Sequence, residues 1–291
     1  MTMSSAQLLR RRLGFCLLLL VLAPWAASAY TSVRTEVLFP KPRSWIAGQQ
    51  GWFSSLATGL TLFEDATVWG PGGELALDLD PGALMVGVVG YDLGALRFGQ
   101  EVAWHRAPMS AISANGMDTR VTGEISQLKL LSRSRTAFRL APGAPHAAYV
   151  SLGLGALKAT FEFEDQTTGQ AHDESHWAFV YEVQAGLVCK FANYDRLRIG
   201  IRAANAEPQT RVFFDSWFNF GLGRRSPHRA YVGGSLGAVD SNAKDWSAGY
   251  QLGAGMVFEI ADRTVLGADF RYVAMPSFTA HTPSISLRYN F

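Results

Sequence analysis

From Trp52 onward, apolar side chains alternate with polar or small ones over stretches of about ten residues, and Gly, Pro, Asn and Asp separate the stretches. A period of two predicts strands. The clearest stretch is Trp246 to Ile260. There Trp246, Ala248, Tyr250, Leu252, Ala254, Met256, Phe258 and Ile260 share one face, and Ser247, Gly249, Gln251, Gly253, Gly255, Val257 and Glu259 share the other. Leu266, Ala268, Phe270 and Tyr272 repeat the arrangement against Val265, Gly267, Asp269 and Arg271, and Ile285, Leu287, Tyr289 and Phe291 do so against Ser284, Ser286, Arg288 and Asn290. The pattern places about twelve strands near 52–62, 84–93, 96–106, 124–140, 148–160, 177–191, 196–205, 210–220, 229–238, 246–260, 264–273 and 283–291, with the rows less clean at 124–140 and 210–220. Short connections such as Gly94-Ala95 and Ala261 to Arg263 alternate with longer polar ones, Phe63 to Ala83, Ala107 to Gly123 and Phe163 to His176.

A soluble sandwich alternates too, so the decision rests on what each face carries. The polar face is rich in Gly, Ser and charges, and the apolar face ends in aromatics, as in a barrel with lipid outside and a crowded polar lumen. The fold class expected is all-β: an antiparallel transmembrane up-and-down β-barrel of about 12 strands, with 8 to 10 as the alternative. An even count puts both ends on the periplasmic side. Trp104, Trp177 and Trp246 fall at one predicted boundary, and Phe191, Phe258, Tyr289 and Phe291 at the other, which suits interfacial girdles because such rings are apolar with a polar edge.

Composition narrows the reading further. The chain is 48% hydrophobic and 17% charged, yet beyond the first 29 residues no apolar run approaches the roughly 20 residues that a membrane helix needs. Those first residues carry Arg10, Arg11 and Arg12, an apolar stretch from Leu13 to Ala26, and Ala27-Ser28-Ala29. This pattern predicts a secretory signal peptide over 1–29 cut after Ala29, with Ala27 and Ala29 as the small residues the peptidase reads; an N-terminal anchor is the alternative. Removing it takes the 26 basic residues to 23 against 24 acidic ones, a balance that gives no sign of a nucleic-acid partner. Cys189 is then the only thiol, so neither an internal disulfide nor a multi-cysteine metal site is expected. Residues 30–50, with Pro40 and Pro42, are expected to be a periplasmic tail or plug, and 51–291 the barrel.

Part of the chain occurs twice. Ala148-Tyr149-Val150 and Leu154-Gly155-Ala156 return 82 positions later as Ala230-Tyr231-Val232 and Leu236-Gly237-Ala238, and Trp177 to Ala203 aligns with Trp246 to Tyr272 at an offset of 69. Duplication and shared pleat constraints both account for such matches. The strand from Pro227 to Gly237, the Gly253 to Ile260 strand with its Ala261 to Arg263 turn, Phe270 to Tyr272 and the terminal Leu287 to Phe291 resemble the outer-membrane barrels of the opacity-type and surface-antigen family, related to small OmpA-like barrels. The resemblance implies export to the cell outer membrane and recognition of the C-terminal strand, ending in Phe291, by the barrel-assembly machinery. Such barrels usually have eight strands, so the size departs from the family.

The candidate chemistry lies on the inward rows. Arg97, Lys129, Arg133, Arg135, Arg139, Lys190, Arg196, Arg198, Arg202, Arg211, Arg271 and Arg288 face the lumen with Glu101, Glu182, Asp215, Glu259 and Asp269. Ladders of paired charge that fix strand register are one reading; a water-filled passage favouring anions is the other. Acidic residues such as Glu162, Glu164, Asp173 and Asp245 gather in the expected outer loops. His172 and His176 would share a helix face as metal ligands, but no helical pattern surrounds them, and no metal or other cofactor is expected. His105 and the Ser175-His176 pair match no catalytic motif, so an enzyme is not expected. The function expected is structural or surface-exposed, in contact with outer-membrane lipid and lipopolysaccharide. A narrow anion-leaning porin is the alternative, and a lipid-modifying outer-membrane enzyme is a weaker one. Nothing in the sequence sets the oligomeric state.

Overall fold

The computed structural model describes residue 50 to residue 291, apart from 71–72, 115–116, 142–144, 192–195, 207–208, 223–227, 241–245 and 277. The expected leader, with Ala27 and Ala29, and nearly all of the expected tail lie outside the described residues.

The period-two alternation produces strands throughout, overriding the helix propensity of the chain's many Ala and Leu: β1 (Gly51–Gly70), β2 (Gly73–Leu79), β3 (Gly82–Asp92), β4 (Leu96–Ala114), β5 (Met117–Arg139), β6 (Ala147–Asp165), β7 (Gln170–Lys190), β8 (Arg196–Ala206), β9 (Gln209–Gly221), β10 (Arg229–Asp240), β11 (Trp246–Ala261), β12 (Thr264–Met275) and β13 (Phe278–Asn290). Each pairs antiparallel with its neighbours, and β1 pairs with β13 to close the sheet. The wall is twelve strands around, because β2 and β3 occupy one position in it. Thr67 faces Ala76 and Thr61 faces Gly82 in a single register, and the pairing lapses only between them, around Asp80-Pro81. Pro81 has no N–H to give to a ladder, which is why the strand breaks there. Closure leaves no strand edge within the wall facing lipid, the condition for crossing a bilayer with strands.

Outward rows locate the membrane. Trp104, Leu128, Lys158 and Trp177 lie in one register row across β4 to β7. One row further out come Arg106, Ser126, Thr160 and Ser175, and beyond them Pro108, Glu124, Glu162 and Asp173. Below the tryptophan row the outward residues are apolar down β6 and β7: Ala156 and Phe179, Leu154 and Tyr181, Leu152 and Val183, Val150 and Ala185. From Trp177 to Phe191 the strand rises roughly 35 Å at about 3.3 Å per residue and a tilt of about 40°, enough to cross an apolar band of about 25 Å with a girdle at each edge. Trp177 and Trp246 are 53% and 56% exposed, and Phe191, Tyr289 and Phe291 are exposed too; Trp104 and Phe258 are half-buried. The end that holds Trp52 and Phe291 is the one that faces the periplasm in barrels of this kind.

The expected long outer loops are not loops. Phe63 to Ala83, Ala107 to Gly123 and Phe163 to His176 are mostly strand, the tops of β1 to β7, joined through 71–72, 115–116 and 166–169. Their outward side chains are charged because they stand in water above the band, and this polarity, with Pro71 and Pro81, made them read as loop. The two halves of the wall therefore differ in height: β1 and β4 to β7 have 19 to 23 residues, whereas β8 to β13 have 11 to 16.

The repeated segments occupy equivalent places. Tyr149 on β6 lies opposite Gly186 on β7, and Tyr231 on β10 lies opposite Gly255 on β11. Both tyrosines are buried inward, and each hydroxyl sits within 3 Å of where its partner glycine would carry a Cβ. A larger residue at either glycine would collide with the ring.

Candidate functional site

The lumen has two layers. In the periplasmic half, charges form a network between strands. Glu101 receives Lys129 Nζ at 2.7 Å and Arg133 Nε at 3.4 Å, and Arg133 reaches on to Glu182 at 2.8 Å. Asp215 lies 3.8 Å from Arg202 Nε, and it accepts from the Ser235 hydroxyl at 2.6 Å and from Gln184 Nε2 at 3.2 Å, whose other contact is the Tyr149 hydroxyl at 2.9 Å. Arg271 donates to Asp269 at 2.9 Å, Tyr231 donates to the same carboxylate, and Arg229 meets Glu259 at 2.7 Å.

Aromatic rings hold more of the cations. Arg97 and Arg288 lie 3.7 and 4.7 Å from the Phe53 ring, Arg135 lies 4.2 Å from Tyr149, and Arg202 lies 5.2 Å from Phe213. Ring faces carry negative potential, so a guanidinium gains there beyond simple burial. Arg198 is buried in the same layer, whereas Arg139 is exposed at the rim. Basic residues still outnumber acidic ones among the buried inward side chains. Arg229 was not among the expected lumen charges; it lies just inside the periplasmic end of β10, where the alternation begins and gives least warning.

The outer half gathers apolar clusters around a few buried polar groups: His105 and Gln127 lie in register with Ala159, and Arg211 with Val239. Leu75, Met109, Ile112, Val121 and Phe163 form one cluster; Ile125, Leu157, Ala159, Phe161 and Val180 form a second; Ala66, Phe213, Val239, Val273, Met275, Phe278 and Ala280 form a third. Leu77 and Leu79 on β2 pack against all three. These two leucines thus join the tall wall to the low wall across the outer end of the lumen. Sequence reasoning missed them because they fall in the segment read as a loop. The signal was there: Leu75, Leu77 and Leu79 alternate with Ala76, Asp78 and Asp80.

On β9, Arg211, Phe213, Asp215 and Trp217 face inward. The large inward aromatics blurred this row in the sequence, and Gly233 and Gly253 make room for Trp217: a Cβ at either would lie within 3 Å of its ring or backbone. The histidines read as candidate ligands lie on strand β7, where His172 stacks on Phe163 at 4.8 Å. His105 is buried with its ring 6.1 Å from Phe63. Among the described residues, no three His, Cys, Asp or Glu side chains gather to hold a metal ion.

This architecture is shared with solved structures. The transport unit of the autotransporter AIDA-I from Escherichia coli matches with a TM-score of 0.60 at 7% identity, over 84% of this chain and 91% of that one. The translocator domain of the autotransporter NalP from Neisseria meningitidis gives 0.54 at 11% identity, over 84% and 90%. An outer-membrane channel from Pseudomonas putida F1 gives 0.53 at 12%, over 87% and 100%. The chain has the fold of an outer-membrane β-barrel, antiparallel and of twelve strands. No family model matches it, and no curated protein does.

The expected kinship with small opacity-type and OmpA-like barrels is overturned by the twelve-strand wall and by its likeness to autotransporter and channel barrels. The motifs behind that expectation, glycine-rich inward rows and a terminal Leu-Arg-Tyr-Asn-Phe, answer to demands common to transmembrane barrels: close strand approach and an aromatic lower girdle. They report the class of structure and not the family.

Proposed function

We propose that the barrel is a gated, anion-preferring conduit of the outer membrane. The observation that carries this reading is the layering of the lumen, in which a cation-rich lower half lies beneath apolar clusters that two leucines join across the outer end. A purely structural barrel gains nothing from an excess of buried cations, since well-packed apolar residues serve stability as well or better, whereas a basic lining lowers the barrier for anions. Display of variable loops has little support, because the outer connections are short and the projecting surface is sheet. Ile285, Leu287, Tyr289 and Phe291, outward on β13, support recognition of that strand by the barrel-assembly machinery, and lipopolysaccharide is the lipid that would meet the outer tryptophan row.

Planar-bilayer recording tests the conduit. The native barrel is expected to show little steady current, and the Leu77→Ser, Leu79→Ser double variant to open, with a reversal potential in a KCl gradient that favours chloride and weakens as salt rises. Cation preference, or silence from a folded double variant, would overturn the reading.

A further inference from the structure

One sector of the lipid-facing wall is polar. Ser132, Ser134 and Thr136 follow one another on the outward row of β5, and the Ser132 hydroxyl donates to Gln100 Oε1 on β4 at 2.7 Å. On β6 the residues opposite these three are Leu154, Leu152 and Val150, all exposed. Gln100 and Ser132 are the fourth and fifth of eleven positions on a register row that starts at Tyr289 in the lower girdle, passes Ser54 and Val89, and continues beyond Ser132 through Leu154, Tyr181, Asn205, Thr210 and Asp240 to Trp246 in the outer girdle. With about 4.8 Å between strands and a tilt of about 40°, each step along the row rises roughly 3 Å. Gln100 therefore stands roughly 9 Å above the lower girdle, inside the hydrocarbon and too deep for so short a side chain to reach the headgroups.

Such a patch is costly against lipid. Ser132 takes the Gln100 carbonyl, but the amide Nε2 has no partner among the described residues, and an amide hydrogen that faces hydrocarbon bears the full cost of its lost water. Around this polar centre the exposed residues are apolar: Val89 and Leu154 in the same row, Val102 and Leu130 in the row above, and Phe98 in the row below. Gly87, outward on β3 beside Val102, has open space where a Cβ would stand. The surface is therefore low at the edge of the patch, and a second barrel can come close there.

We infer that this sector is the interface of a homodimer, in which Gln100 and Ser132 of two copies meet across a two-fold axis along the membrane normal. Barrels insert the same way up, so such an axis brings the patch onto itself at one depth. Gln100 carries both donors and an acceptor, and so does each serine hydroxyl, which makes the patch its own complement. Lipid chains offer no polar atom at this depth, and an unrelated barrel would need a matching patch at the same height. Strands tilted about 40° in each copy cross at about 80°. That crossing confines the contact to a few residues around the axis, so the dimer is reversible. The interface does not depend on the conduit reading.

The test uses the barrel folded into phosphatidylcholine vesicles, with donor-labelled and acceptor-labelled copies mixed and the protein-to-lipid ratio varied. Energy transfer should rise with that ratio and fall on dilution with lipid. Gln100→Leu should weaken association roughly tenfold or more, because the two-fold axis removes the contact twice. Leu236→Ala, exposed on β10 across the barrel, should leave association unchanged, with heat-modifiable mobility on gels showing that both variants are folded. In a Cys16→Ala, Cys189→Ala background, Ser132→Cys should form an intermolecular disulfide under mild oxidation and Leu236→Cys should not. A native barrel that stays monomeric at the highest ratio, association unchanged in folded Gln100→Leu, or equal cross-linking through the Leu236→Cys variant overturns the interface.

Discussion

The two layers of the lumen are built on the same strands with the same alternation, yet they are held in different ways. Below, central carboxylates are shared: Glu101 between Lys129 and Arg133, and Asp215 among Arg202, Gln184 and Ser235. Above, Leu77 and Leu79 touch three apolar clusters without a directional bond. A hydrogen-bonded charge network resists displacement because each broken contact leaves a buried charge. Apolar contacts between a narrow, proline-interrupted strand and the opposite wall can part and reform at modest cost. The lower layer is therefore suited to fix register and the upper one to move.

The largest effect should come from breaking the lower layer at its centre. Glu101→Gln leaves Lys129 and Arg133 without their shared carboxylate and is expected to cost about 3–5 kcal/mol, read as a lower urea midpoint for unfolding from lipid vesicles. Replacing Glu101, Lys129, Arg133 and Glu182 together with apolar residues, so that Glu182 is not stranded without Arg133, should recover most of that loss. If the quadruple variant is as unstable as the single one, the ion cluster is itself the source of stability and a transport role loses its main support.

Next comes the contrast between the faces of the wall. Leu252 is 55% exposed on the lipid side of β11, in the middle of the apolar band. Leu252→Arg is expected to cost about 2–4 kcal/mol of insertion stability, whereas Ser247→Arg, on the inward row near the outer end of the same strand, should cost much less. Equal losses would mean that hydrocarbon does not cover the outward row.

These faces were readable because lipid and lumen impose opposite chemistries at every second residue. Trp246 to Ile260 sort by face in the structure as they do in the sequence, and Arg271 and Asp269 could be placed inward from their spacing alone. The height of the wall was not readable. Once a strand leaves the membrane its outward residues become Glu162, Glu164 and Asp173, and the contrast that marks a transmembrane strand disappears although the hydrogen-bonded ladder continues. The mouth was hidden for the same reason, with Asp80-Pro81 adding a break.

A smaller effect is expected from the mouth. Leu77→Ala and Leu79→Ala each remove a half-buried side chain and should cost about 1–2 kcal/mol, below the range for fully buried leucines. Their influence on current should be far larger than their influence on stability. That dissociation is the sharpest mark of a movable layer, and a loss of stability comparable with that of Glu101→Gln would show instead that the mouth belongs to the rigid frame.

The smallest effect lies outside both layers and tests where the membrane ends. Arg106 and Glu124 pair on the outer face one to two rows above Trp104, with the Arg106 side chain 53% exposed. If water surrounds this pair, solvent and salt screen it, and Arg106→Ala should change stability by less than about 1 kcal/mol. If instead the band reached this height, the change would leave Glu124 as a lone carboxylate in hydrocarbon and the cost would rise to that of a buried charge. Measuring Arg106→Ala in vesicles of thinner and thicker lipids sets the boundary directly: the small cost should persist in thin bilayers and grow only when acyl chains are long enough to cover the row above the tryptophans.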